Sequence, residues 1–95
     1  MGVYLMLSTL TEKGRAAVRD KPEKIKEVNA EVERMGVKIV TQYALFGPYD
    51  FVNILEAESD EAIMKLAIEV TAGGKLEAMT LPAIPVDTFI ASLKK

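Results

Sequence analysis

Gly47-Pro48-Tyr49-Asp50 lies between two strand-like runs, Lys38–Leu45 and Phe51–Leu55. Glycine tolerates unusual backbone angles and proline fixes φ, so a Gly-Pro step between apolar runs reads as a turn. The four residues therefore pin a hairpin near the middle of the chain. A hairpin there divides the polypeptide into two halves of similar length, and each half must supply its own helix to cover the strands it contributes.

Both halves carry such a pattern. In the first, Val3-Tyr4-Leu5-Met6-Leu7 reads as a strand. Thr11 is placed to cap a short helix over Glu12–Val18, with Gly14 weakening it, and Pro22 suits the first position of a longer helix. Ile25, Val28, Val32 and Met35 recur at three- and four-residue spacing, one apolar stripe of an amphipathic helix. Gly36 then ends the helix. In the second half, Phe51–Leu55 reads as a strand and Ser59 as an N-cap, with Asp60 and Glu61 at the positive end of the helix dipole. Ile63, Leu66, Ala67 and Val70 form the stripe, Gly73-Gly74 stops the helix, and Lys75–Leu81 reads as a fourth strand. Strand, helix, strand, hairpin, strand, helix, strand is the order of a ferredoxin-like βαββαβ plait. That fold is an α+β class built on a four-stranded antiparallel sheet. One domain over residues 1–95 accommodates it. The tail from Pro85 predicts a last turn or short helix through Phe89, Ile90 and Leu93.

The strands constrain assembly. A sheet with one wet face alternates apolar and polar residues. The first strand does not, because Val3, Leu5 and Leu7 point one way and Tyr4 and Met6 the other; Phe51 and Leu55 likewise oppose Val52 and Ile54. In a plait both helices cover the same sheet face. The remaining face then leaves large apolar side chains in water, each worth roughly 1.5–3 kcal/mol when buried. A second copy packed sheet against sheet with two-fold symmetry removes that exposure. The structural alternative is a tail that folds back over the open face.

Composition narrows the chemistry. The chain has no Cys and no His, so it has no thiolate nucleophile, no thiolate metal site and no imidazole base. No cofactor and no metal site are expected. A net charge of -2 argues against nucleic acid as a partner. The basic residues between Lys13 and Lys26 are interleaved with Glu12, Asp20, Glu23 and Glu27, which marks a solvated helix face. No apolar run approaches the ~20 residues of a membrane span, and a cytoplasmic location is expected.

Gly47, Tyr49 and Asp50, with Thr11, Gly14, Pro22, Gly36, Tyr43, Asp60 and Thr80 in order around them, resemble the GYD domain family, whose motif is Gly-x-Tyr-Asp. The resemblance runs from Tyr4 to about Ala83. Lys24 departs from the arginine, and Ser59 from the proline, expected at those positions. The resemblance implies a dimeric α/β-barrel fold and no established activity.

The candidate ligand-binding residues are Tyr43, Tyr49, Asp50 and Asn53, placed in a cleft between helices and sheet. Asp50 could hydrogen-bond a ligand, or polarise Tyr49 or Tyr43 as a proton donor. Its structural alternative is closure of the turn formed by Gly47 and Pro48, by accepting backbone N–H groups. Asn53 is a lone amide in an apolar strand and requires a partner, whether backbone, ligand or second subunit. The expected function is a small-molecule-binding or regulatory module acting as a homo-oligomer. The alternative is a cofactor-independent enzyme, monooxygenase- or isomerase-like, using Tyr and Asp.

Overall fold

The computed structural model describes residues 2–94. The elements follow one another as β1 (Gly2–Leu10), α1 (Glu12–Asp20), α2 (Lys24–Arg34), β2 (Lys38–Ala44), β3 (Phe51–Ala57), α3 (Asp60–Thr71), β4 (Leu76–Ala83) and α4 (Val86–Leu93). The strands form one antiparallel sheet in the order β2-β3-β1-β4. The two apolar strands β1 and β3 are therefore central, and the architecture is the α+β, ferredoxin-like plait expected from the element order.

Local chemistry fixes the helix ends. The Thr11 hydroxyl accepts from the Gly14 N–H at 3.1 Å, and the Ser59 hydroxyl accepts from the Ala62 N–H at 3.2 Å, so both expected caps form. Pro22 is not the first residue of α2, which starts at Lys24. Pro22 sits in the preceding turn, where the Lys24 N–H donates to the Lys21 carbonyl and the Ile25 N–H to the Pro22 carbonyl. Gly36 and Gly74, with φ of 84° and 77°, occupy the left-handed region just before β2 and β4 respectively.

Tyr4, Met6 and Ser8 of β1 and Leu55 and Ala57 of β3 turn toward the helices. There they join Val32, Val37, Ile63 and Leu66 in the core. Pro82 falls in β4, an edge strand, where a missing ladder donor is tolerated.

The start of α1 is clasped to the loop before β4. The Thr11 N–H donates to the Lys75 carbonyl at 2.9 Å, the Thr11 hydroxyl to the Gly74 carbonyl at 2.6 Å, and Lys13 Nζ to the Gly73 carbonyl at 3.2 Å. Gly14 permits this approach. A Cβ there would stand 2.0 Å from the Lys75 carbonyl oxygen.

The opposite sheet face carries Val3, Leu5 and Leu7 of β1, Val52 and Ile54 of β3, Tyr43 of β2, and Met79 and Leu81 of β4. It is apolar, as the pattern required. Tyr43 is 61% exposed, Met79 46% and Leu81 42%. The tail does not cover it. Helix α4 forms, but its stripe of Val86, Phe89, Ile90 and Leu93 is exposed, as is the whole segment from Leu81 to Lys94. The molecule extends 55 × 28 × 18 Å.

Candidate functional site

On the helical side, a cleft of about 240 Å³ runs between the helices and down to the sheet. Its walls are mostly aliphatic, from Val18 on α1, Ile25, Val28 and Val32 on α2, Leu66 and Val70 on α3, and Ile39 and Leu55 on the sheet. Its polar groups are few and uncharged, apart from Lys24, Glu31, Glu69 and Lys75, which are two cations and two anions. No group of three or more acidic side chains among the described residues could hold a metal ion.

The polar floor is an amide network. Asn29 on α2 and Gln42 on β2 pair head to tail: Asn29 Nδ2 donates to Gln42 Oε1 at 2.9 Å and Gln42 Nε2 donates to Asn29 Oδ1 at 3.0 Å. Gln42 Nε2 also donates to Asn53 Oδ1 at 2.6 Å. Three primary amides from a helix, an edge strand and a central strand thus meet in one place. Ser8, only 4% exposed, lines the same cleft.

Asn53 lines the cleft, and its amide bonds another side chain of the same chain rather than backbone, a ligand or a second subunit. Its hydrogen-bond partner is Gln42, which in turn pairs with Asn29, a residue that sequence reasoning missed. The signal was present, because Asn29 lies four residues after Ile25 and so interrupts the buried stripe of α2 with an amide.

The other three candidates lie outside the cleft. Tyr43 is on the open sheet face, paired with Val52. Tyr49 is half-buried in the hairpin and does not line the cleft. Asp50 closes the turn: its Oδ2 accepts from the Leu10 N–H at 2.7 Å, its N–H donates to the Ser8 carbonyl at 2.8 Å, and its carbonyl accepts from the Leu45 N–H at 2.7 Å. One residue thereby ties the β2–β3 hairpin to the end of β1. Gly47 and Pro48 lie in the exposed connection between β2 and β3, and Gly47 has φ of 157°.

A second depression, of about 230 Å³, lies on the other flank of α3 and is lined by Tyr4, Asp60, Ile63, Met64, Ala67, Thr80 and Pro82. Here the Tyr4 hydroxyl donates to Asp60 Oδ1, joining β1 to the first turn of α3. That hydrogen bond, burial, and the negative charges of Asp60 and Glu61 raise the Tyr4 pKa above its ordinary 10.0.

The hairpin clamp carries the Gly-x-Tyr-Asp signature, and the GYD domain family matches residues 4–93. The chain belongs to the GYD domain family. A curated relative in Thermus thermophilus is named "Glutamine synthetase and cystathionine beta-lyase binding protein". It is 47% identical over 95 residues, covering 99% of this chain and 100% of its own. Among solved structures, an FFRP chain superposes with a TM-score of 0.62 at 16% identity, over 88% of this chain and 100% of its own. MtbAldR gives 0.63 at 17% identity, over 88% of this chain and 52% of its own. At such identities these two establish the shared fold. In this GYD domain the motif aspartate is a backbone clamp at the hairpin, and the cleft is built by other residues.

Proposed function

We propose that this GYD protein is a binding module that self-associates through its open sheet face, accepts a small molecule in its helix–sheet cleft and engages other proteins. The observation that carries the reading is that the sheet is apolar on both faces while the chain's own helices cover one. Leu5, Leu7, Val52 and Ile54 sit at the centre of the uncovered face, and a second copy related by two-fold symmetry matches that face with its own. The exposed stripe of α4 is further apolar surface open to a partner.

The name of the Thermus thermophilus relative supports the protein-binding part. Carried over to this chain, it predicts affinity for glutamine synthetase and cystathionine beta-lyase. The cleft supports the small-molecule part, since its few polar groups converge beside apolar walls. The Tyr49–Asp50 pair on which an enzymatic alternative relies is not in that cleft, and the Asp50 carboxylate already accepts the Leu10 N–H.

Substituting Ile54→Lys places a charge at the centre of the open face. Sedimentation velocity is expected to show a larger particle for the unmodified protein and a monomer for the variant. Equal sedimentation of the two as monomers contradicts self-association. Surface-immobilised protein is expected to retain purified glutamine synthetase or cystathionine beta-lyase, and retention of neither contradicts the enzyme-binding part.

A further inference from the structure

We infer that the cleft between the helices and the sheet is built for a small neutral ligand carrying a carboxamide or an equivalent paired donor and acceptor on an apolar body. The inference rests on the small-molecule part of the proposed function and assigns the ligand's chemistry.

Volume sets the size. The cleft measures about 240 Å³, larger than the roughly 150 Å³ of an apolar cavity that admits benzene. A ring with one polar substituent fits such a space.

The polar floor sets the functional group. Asn53 uses one end of its amide on Gln42, and among the described hydrogen bonds its other end has no partner. The Ser8 hydroxyl takes part in none of them either. Neither group is sealed from all access, because no fully buried side-chain nitrogen or oxygen in the described residues lacks a partner. Both residues line the cleft, so a ligand held there meets two residues with hydrogen-bonding capacity to spare. In the β1–β3 ladder Asn53 pairs with Met6, which puts Ser8 on the same face at the diagonal position. A hydroxyl that donates and accepts, beside a free amide end, matches a group that also does both.

Charge sets the neutrality. The two Lys and two Glu of the lining balance, and the amides on the floor are uncharged. An ionised ligand would lose hydration on that floor and gain no net counter-charge from a lining whose charges cancel, whereas a neutral amide exchanges water for the floor.

Benzamide is the probe, with benzoate and benzene as its charged and purely apolar counterparts. Followed by side-chain amide NMR on the full chain, benzamide is expected to shift the Asn29, Gln42 and Asn53 NH₂ resonances saturably. Benzoate leaves them in place, and benzene binds about tenfold or more weakly than benzamide. Ser8→Ala weakens benzamide about tenfold. Because that variant alters a buried site, the resonance shifts in the unmodified protein stand as an independent readout. If benzene or benzoate binds as well as benzamide, the ligand class is wrong while the pocket stands. If none of the three perturbs the cleft, both the class and the pocket reading fall.

Discussion

Asp50 and Gly14 show how single residues set this fold. Asp50 holds the end of β1 through the Leu10 N–H, so Asp50→Ala leaves that partly buried donor without its partner. The expected loss is about 1–3 kcal/mol in urea denaturation, against about 0.5 kcal/mol or less for Tyr49→Phe. Gly14→Ala is expected to cost about 2–3 kcal/mol in the same experiment, because backbone rather than a pliable side chain blocks the new methyl. Tyr4 makes a pH-dependent contribution. Its folded pKa is raised above 10.0, so the folded state holds the proton more tightly than the unfolded chain. That stability is present below pH 10.0 and is lost as pH rises through the folded value. Tyr4→Phe is therefore expected to flatten the alkaline decline of the melting temperature above pH 10.0; an unchanged decline contradicts the assignment.

At the scale of elements, the order of strands and helices was readable because apolar spacing and capping residues agreed. The face presented by each residue was readable only in part. A strand that is apolar on both sides gives no internal sign of which side the helices will cover, and the covered side of β1 includes the polar Ser8. Tyr43 illustrates the point. Counting by twos from the half-buried Ile39 puts Tyr43 in the cleft. A register irregularity between Ile39 and Thr41 shifts the alternation, so Gln42 faces the cleft and Tyr43 the open face. That Asn53 needs a partner was legible, because it is a single amide in an apolar strand; that the partner is the Gln42 side chain was not. The network around it needs residues from α2 and β2, whose meeting depends on the tertiary fold. Helix α4 belongs to this scale too. It is exposed along its length, so deleting residues 86–95 is expected to leave the far-ultraviolet signature of the sheet and the remaining helices intact while weakening self-association. Collapse of the sheet signal on truncation would show that α4 supports the fold itself.

The whole molecule is organised around a sheet that needs cover on two sides. Helices α1 to α3 supply one cover and leave a cleft with a polar floor. The other side is the apolar face of Leu5, Leu7, Val52 and Ile54, for which we propose self-association as the cover. Among the described residues no helix is long and apolar enough to cross a membrane. Light scattering on the eluting peak of the unmodified protein at micromolar concentration tests the central claim most directly. The account predicts a mass of at least twice the 10.4 kDa of the chain, and a sharp peak at 10.4 kDa would contradict it.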